Sequence, residues 1–387
     1  MCDANHIERI ILRHDVRTPR NKGVSMNTLW MRSLGLGVIA IAALAEPILG
    51  HAKAVEKELF PVESVLFDKK HALTYPTVAG KFMVYNENHM DSFSVVRVPV
   101  DQSDMEGKRV DPTMLNEVLR QGVALKDGGI GYVSNRIGPI SAWFWQGKGD
   151  SHVAIANSTL FRGGLVPQHL NASADGQTWC FDATFEKNRH NQLLNEFSRP
   201  THSEVLGQDW RIYNSNYVMY KMGYLNTKTG VRNKFESPAL FILQRRNNEL
   251  SMVPNAFDGT ISPDGKRIVF VREVNGNYDL WLQNRDGTNL TQLTTDTFGE
   301  FEPAFSPDGK KIAFVSNRDS DGNVRQTSLY VISLATGEVT RITNAPHATD
   351  GGVTWKDNHT LIFHSNRDLK KPQSKTVSDW NLWQVEF

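Results

Sequence analysis

"FDGTISPDGKRIVFVREVN" occupies Phe257 to Asn275, and "FEPAFSPDGKKIAFVSNRD" occupies Phe301 to Asp319. Both contain Ser-Pro-Asp-Gly-Lys followed by a short apolar run, and Ser262 and Ser306 stand 44 residues apart. Pro-Asp-Gly is turn chemistry: proline presets φ, aspartate bonds its own backbone and glycine tolerates positive φ. "KRIVFV" and "KKIAFV" are β-branched and aromatic, which predicts a buried strand. Another strand ("YDLWLQ", "SLYVIS"), a tight turn (Asp286-Gly287, Thr336-Gly337) and a third strand ("LTQLT", "EVTRIT") follow. Each unit is predicted to be a meander of three or four antiparallel strands.

The mark recurs at Asp127-Gly128, Asp175-Gly176, Asp264-Gly265 and Asp308-Gly309, and as Asp357-Asn358. Gly80 in "AGKFMVY" fits an earlier copy without the aspartate. Successive aspartates are 48, 89, 44 and 49 residues apart. The interval of 89 covers two periods, so a unit between residues 206 and 250 is expected to have lost its turn. Tyr217 to Tyr220 and Asn226 to Gly230 would be its remnants. "VSNR" at Val133 to Arg136 and Val315 to Arg318, and "HSNRD" at His364 to Asp368, share one phase of the repeat.

A period of roughly 40–50 residues made of four-strand meanders predicts an all-β β-propeller, because radial stacking hides both faces of each sheet. Seven blades are favoured, with six or eight open. The terminal "DWNLWQVEF" is expected to close the ring by completing a blade begun by N-terminal chain near Val62 to Leu66.

The last three units, through "SPDGKRIVFV", "FEPAFSPDGKKIAFVSNRD" and "LYVISLATGEVTRIT", resemble the TolB-type WD40-like repeats of bacterial periplasmic propellers. The resemblance runs from about Phe257 to Phe387 and fades toward the N-terminus. TolB itself sets an α/β domain ahead of six blades, and the stretch before Gly80 is too short for that domain. The resemblance is therefore to the repeats rather than to TolB as a whole. It implies a periplasmic protein that binds other exported proteins across one funnel mouth. Related cofactor-free propellers serve as subunits of exported redox complexes, the β subunit of hydrazine synthase being one by architecture; cofactors there would belong to partner chains.

The front of the chain reads differently. From Met26, "MNTLWMRSLGLGVIAIAALAEPILGHAKA" carries Arg32, an apolar run from Leu34 to Ala45 and a small-x-small site at Ala52-Lys53-Ala54. That is a secretory signal peptide, with cleavage expected after Ala54 and residues 1–25 read as an over-called start. Residues 55–387 are expected to form one propeller domain. Seven of the 43 Lys and Arg and four of the 42 Asp and Glu precede Val55, leaving 36 basic against 38 acidic residues. This balance carries neither a nucleic-acid footprint nor a polybasic membrane patch. No second apolar stretch reaches membrane length, and no lipobox cysteine follows the signal to take a lipid anchor. Cys180, in "TWCFDATF", is the only mature cysteine, so no disulfide forms within the chain and a buried inert thiol is expected.

Cys-x-x-Cys-His, Gly-x-Ser-x-Gly, Walker A and His-Glu-x-x-His do not occur, which excludes covalent c-type haem and the common appended hydrolase and nucleotide motifs. Asp319, Asp321 and Asn323 have a spacing that points oxygens at calcium, against a polar hairpin loop as the competing reading. His190 and His202 fall in one insertion, but zinc would need a further ligand. Glu300 and Glu302 precede one innermost strand, and His347 and Asp350 precede the next. Such strand starts surround a propeller's channel mouth, so these four are the candidate partner-binding residues, against solvated loops. Trp143 and Trp145 share one strand face and are expected to pack on a neighbouring blade rather than to stack on carbohydrate. "DPTMLNEVLRQG" predicts a short amphipathic helix, with Asp111 as N-cap, Pro112 at the first position, apolar residues at 114, 115, 118 and 119, and Gly122 as stop.

Two functions stand against each other. One is a non-catalytic exported interaction scaffold. The other is a propeller enzyme, a lyase or hydrolase, with a metal held by inner-strand side chains in the channel. The 12 histidines do not recur at matching inner-strand positions, which favours the first.

Overall fold

Each Asp-Gly turn closes as its sequence dictates. Ser262 Oγ donates to Asp264 Oδ1 (2.6 Å), which also accepts the Lys266 N–H (3.1 Å). Gly265, at φ 69°, donates its N–H to Ser262 O (2.8 Å). Ser306–Asp308–Gly309 and Ser173–Asp175–Gly176 repeat these bonds. In the computed structural model these turns join the first and second strands of successive four-stranded sheets. Described are residues 54–59, 72–88, 93–101, 107–110, 117, 119–136, 141–155, 165–185, 217–220, 223–226, 232–234, 239–247, 249–253, 256–368 and 377–387.

The first described strand is β1 (Val55–Glu58). Blade 1 consists of β2 (Ala72–Ala79), β3 (Phe82–Asn88), β4 (Phe93–Pro99) and β5 (Lys108–Val110). Blade 2 has β6 (Leu119–Ala124), β7 (Ile130–Ser134), β8 (Ser141–Trp145) and β9 (His152–Ile155). Blade 3 begins with β10 (Leu165–Ala172) and β11 (Thr178–Phe185). A separate three-stranded sheet follows, of β12 (Tyr217–Tyr220), β13 (Gly223–Asn226) and β14 (Arg232–Lys234). Only then does blade 3 finish, with β15 (Ala239–Gln244) and β16 (Glu249–Val253). Blade 4 is β17 (Phe257–Ile261), β18 (Arg267–Val274), β19 (Asn277–Asn284) and β20 (Thr291–Gln292). Blade 5 is β21 (Glu300–Phe305), β22 (Lys311–Ser316), β23 (Ser328–Ser333) and β24 (Val339–Arg341). Blade 6 takes β25 (Asp350–Asp357), β26 (Thr360–Arg367) and β27 (Val377–Glu386), and borrows β1 as its outermost strand.

Six blades, not seven, make the ring. The 89-residue interval between Asp175 and Asp264 is one blade interrupted by residues 186–238, so no turn was lost. Each first strand touches the next blade, and β2 touches β25, β26 and β27, so the circle closes. The closing N-terminal strand is Val55–Glu58, paired from Val55↔Glu386 to Glu58↔Trp383, and not the Val62–Leu66 segment, which lies outside the described residues. Ring closure thus joins three C-terminal strands to one N-terminal strand, hiding the edge that β27 would otherwise present.

Apolar side chains fill the clefts between blades. Val84, Val95 and Val110 of blade 1 meet Leu119, Tyr132 and Trp143 of blade 2, with Trp145 against the same cluster. The Trp143 and Trp145 face is therefore interblade core. Val269 and Leu280 of blade 4 meet Phe314 and Tyr330 of blade 5. Cys180 is fully buried, and its surroundings, above all burial, hold the thiol well above its usual range.

The helix expected at 111–121 is corrected in its second half. Residues 111–116 and 118 lie outside the described residues, but Leu119 to Ala124 form the innermost strand of blade 2, with Leu119 fully buried. Gly122 stops no helix. A Cβ there would fall 2.5 Å from Val95 Cγ1 and 2.6 Å from Val84 Cγ1, so the position requires glycine for close approach of two blades.

Candidate functional site

All six innermost strands break register at the same place. The shifts fall between Thr74 and Thr77, Arg120 and Val123, Gln168 and Asn171, Phe257 and Thr260, Phe301 and Ala304, and Gly351 and Thr354. Each β-bulge holds one residue with left-handed backbone: Tyr75 (φ 50°), Gln121 (56°), His169 (45°), Asp258 (55°), Glu302 (51°) and Gly352 (57°). For a non-glycine residue this conformation costs about 1–2 kcal/mol, so five such residues need compensation.

Hydrogen bonds between blades supply it. The Asp258 N–H donates to Asp182 Oδ1 (3.2 Å), the Glu302 N–H to Asp258 Oδ2 (2.5 Å), and the Gly352 N–H to Glu302 Oε2. The Tyr75 N–H donates to His364 Nδ1 (3.1 Å), and the Gly122 N–H to Asn86 Oδ1 (3.0 Å). Five of the six junctions therefore carry the same device: a side chain of one blade accepts a bulge N–H of the next. The ring fixes the bulge residues around the channel. Gly352 is there for space, since a Cβ would sit 2.3 Å from His364 Nδ1 and 3.2 Å from Tyr75 Cα.

The ring is strongly polar on one side. His169 Nδ1 bonds both oxygens of buried Asp182, at 2.9 and 3.0 Å. Burial pushes the imidazole down, but the charge and hydrogen bond of Asp182, helped by Asp258 and Glu302, push it up to about 10. His169 is accordingly an imidazolium at neutral pH. Burial, then Asp258, pushes the Glu302 carboxyl up to about 7, against the Gly352 N–H and His169. Burial raises Asp258 as well, and Asp182 adds to it. Across the ring, burial pushes His364 down to about 3, so it is neutral with Nδ1 as acceptor. The Tyr75 and Trp380 rings each lie edge-on to His364, with centroids 4.9 Å away. Asp258 Oδ1, Glu302 Oε1 and His169 Nε2 have no hydrogen bond among the described residues.

The four expected rim residues lie in different settings. Glu302 joins the ring. Asp350 is fully buried and accepts Arg367 Nη2 on both oxygens (2.7 and 2.6 Å), with Ser365 Oγ (2.7 Å) and Thr343 Oγ1 (2.6 Å) also donating. Glu300 is fully buried beside Arg318 (3.0 Å) and Ser316 (3.3 Å). Only His347 stands exposed, in a left-handed loop position (φ 69°) with Nδ1 at 3.2 Å from Gln326 Nε2.

Glu300 and Asp350 belong to a repeated interior lock that uses the Ser-Asn-Arg phase. In blade 2, Glu117 Oε1 accepts Ser134 Oγ (2.7 Å) and Arg136 Nε (2.9 Å), while the guanidinium lies over Tyr132 and Trp143. Arg318 lies over Phe314 and Tyr330, and Arg367 over Phe363 and Trp383. Each arginine binds the carboxylate at the start of its blade and covers two aromatic faces, tying the first three strands of that blade.

Two of the three residues of the calcium-spaced loop spend side-chain oxygens internally. Asp319 is taken by the Tyr330 hydroxyl and by Arg341 Nε (2.9 Å), and Asn323 Oδ1 accepts the Arg325 N–H (3.0 Å). Asp321 stands exposed in a left-handed turn (φ 52°). Among the described residues, no group of three or more His, Cys, Asp or Glu is placed to hold a metal ion. His190 and His202 lie outside the described residues, and no described helix is long and apolar enough to cross a membrane.

No family model matches the chain, and no curated protein matches it. Solved propeller structures do. A protein assigned as TolB from Agrobacterium tumefaciens is 13% identical with a TM-score of 0.49, covering 83% of this chain and 92% of its own. TolB from Acinetobacter baumannii is 13% identical with a TM-score of 0.47, covering 79% of this chain, which spans 64% of that protein's length. An oligogalacturonate lyase in complex with manganese is 10% identical with a TM-score of 0.46, covering 82% and 89%. The chain is thus similar in structure both to TolB and to a propeller enzyme.

Proposed function

We propose that this protein is a non-catalytic, exported interaction scaffold of the TolB-like kind. In this reading it is a cofactor-free subunit of a periplasmic or equivalent extracytoplasmic complex, with redox complexes of the hydrazine synthase β type among the candidates. Its partners are other exported proteins, and it uses neither nucleic acid nor a membrane anchor. The docking surface is the channel ring rather than the outer loops. The observation that carries the reading is the ring itself: six blades each give up ladder regularity to set one left-handed residue around the channel. Bulges and strained residues are retained where a side chain must be aimed. Export has its own support. β1 starts at Val55, so cleavage after Ala54 would leave the closing strand whole.

Mass measurement of the exported protein checks the first part; a chain still beginning at Met1 or Met26 overturns export. For the second, co-exported chains are captured by crosslinking to wild type, to an Asp258→Asn/Glu302→Gln variant, and to a Gln326→Ala/His347→Ala variant. The ring variant is expected to lose at least about tenfold in capture, a change of about 1.4 kcal/mol, while the loop variant retains it. The reverse result would move docking to the exposed loop.

A catalytic reading has one observation of its own. Glu302, near neutrality beside an aspartate-held imidazolium, is a proton-exchanging pair of the kind lyases and hydrolases use. A tight stoichiometric metal in the mature protein would favour it.

A further inference from the structure

At the Asp-Gly turn end of the blades, arginines spend their donors on turn carbonyls. Arg245 Nη1 donates to Gly176 O (3.3 Å), Arg267 Nη2 to Gly309 O (2.8 Å) and Arg285 Nη1 to Gly265 O (3.2 Å). Arg97, on the third strand of blade 1, lies against two turns of blade 2 and does otherwise. It makes no hydrogen bond and no ion pair among the described residues, although it is only 8% exposed.

The packing holds this guanidinium in place without bonding it. Its Cζ lies 5.0 Å from the ring centroid of Phe82 in its own blade and 5.5 Å from that of Trp145 in blade 2. Gly128 (φ 84°) belongs to the Asp-Gly turn of blade 2, and Gly147 (φ 83°) to the turn between β8 and β9. A Cβ on Gly147 would fall 2.4 Å from Arg97 Nη1, and one on Gly128 3.1 Å from the same atom. Burial lowers the pKa of Arg97, with nearby Asp127 raising it, but Asp127 Oδ1 accepts the Gly129 N–H (3.0 Å) instead. Two aromatic faces offset part of the desolvation, yet they leave the N–H donors unmet, and a buried charge in that state is costly. Stacking is not what keeps Arg97 from a turn carbonyl. Arg245 lies over Phe144 and Trp179 in the next cleft at 4.9 and 5.5 Å and still reaches Gly176 O.

We propose that the turn-side mouth of the cleft between blades 1 and 2 is a binding site for a carboxylate, held by the Arg97 guanidinium beside the Phe82 and Trp145 rings. A guanidinium presents parallel N–H donors that match the two oxygens of a carboxylate. One positive charge with Asp127 already close suits a single negative charge, so a carboxylate is preferred to dianionic phosphate. The site is separate from the bulge ring, and it requires neither docking nor catalysis there.

The test follows the Arg97 Nε–H resonance of the purified protein, assigned by its loss in Arg97→Lys. Acetate, its neutral isostere acetamide, or inorganic phosphate is added at constant ionic strength and about pH 8. Acetate is expected to move the resonance saturably, to bind at least about tenfold more tightly than acetamide, and to bind more tightly than phosphate. It should also raise the melting temperature of wild type, because it binds the folded state alone, and leave that of Arg97→Met unmoved. Without acetate, Arg97→Met gives up no hydrogen bond and should lower the melting temperature less than Arg245→Met, which gives up the bond to Gly176. If neither Arg97 variant folds, the rise of the wild-type melting temperature with acetate but not with acetamide decides the matter. No saturable movement, or equal effects of acetate and acetamide, overturns the proposal. So does an acetate-dependent rise in Arg97→Met equal to that of wild type, or a fall in Arg97→Met as large as in Arg245→Met. Tighter binding of phosphate than of acetate overturns the assignment to a carboxylate.

Discussion

Blades 5 and 6 carry the same lock 49 residues apart, at Arg318 and Arg367, yet only one of the two is saturated. In blade 6 the short Asp350 carboxylate accepts four hydrogen bonds from three groups, and Arg367, with no exposure at all, also reaches Glu56 on the borrowed strand β1. In blade 5 the longer Glu300 places one oxygen on Arg318 and leaves Oε2 buried without a well-formed hydrogen bond. Arg318 stays partly exposed and divides its Nη2 between Glu300 and the more open Asp296 (2.9 Å). The difference follows from what each blade must do. Blade 5 is one continuous meander, whereas blade 6 must hold a strand from the other end of the chain. Its arginine spans the sheet, from Asp350 on the innermost strand to Glu56 on the borrowed outermost one.

The largest effect is therefore expected from removing β1. Deleting residues 55–58 strips the edge of β27 and leaves Arg367 without Glu56. The protein should lose a single cooperative melt and associate through the bared edge. A monomer melting cooperatively would show that the borrowed strand is dispensable.

Next in size is Arg367→Ala. Asp350 would remain buried without its cation, at a cost of about 3–5 kcal/mol. Arg318→Ala should cost about 1–3 kcal/mol, because Glu300 is already held mostly protonated and needs no counter-charge. Denaturant midpoints of the two variants measure the difference. Equal losses would mean that the two locks do the same job.

The parts of this architecture legible in the sequence were those written locally. Ser-x-Asp-Gly specifies its turn through bonds within five residues, so the turns and the strands beside them were found. The blade count failed because the mark belongs to one turn only. Between β11 and β15 a whole insertion could enter without disturbing that mark, and spacing alone read as an extra blade that had lost its turn. Residues 114, 115, 118 and 119 fit a helical stripe, but Leu119 is buried by blade 1, a contact that no local pattern contains. Glu300 and Asp350 were placed correctly at strand starts. Their inward direction was foreshadowed only by the recurrence of Ser-Asn-Arg at the end of the following strand. The ring left a fainter trace. Gln121, His169, Asp258 and Glu302 each stand six residues before a turn aspartate, at 127, 175, 264 and 308. Because the bulge tolerates Tyr, Gln, His, Asp, Glu or Gly there, the position repeats while the residue does not.

The smallest expected effect sharpens the comparison most. Burial, reinforced by Asp296, pushes the Glu300 carboxyl up to about 8, with Thr294 and Arg318 offsetting this only in part. The folded protein then keeps this proton while the unfolded chain has lost it, so Glu300 lowers stability progressively as pH rises from about 4.5 to about 8. Glu300→Gln fixes the neutral state. At about pH 5 it should change stability by no more than about 1 kcal/mol, and as pH rises toward about 8 it should gain on wild type, flattening the fall in that window. Asp350→Asn is the matched control. It turns an amide N–H₂ toward Arg367 in place of an acceptor and should cost several times more, about 3 kcal/mol or above. Thermal melts of both variants at about pH 5 and about pH 8 read the outcome. A Glu300→Gln variant as damaged as Asp350→Asn at both values would mean that Glu300 is ionised and fully paired, and the contrast between the two blades would disappear.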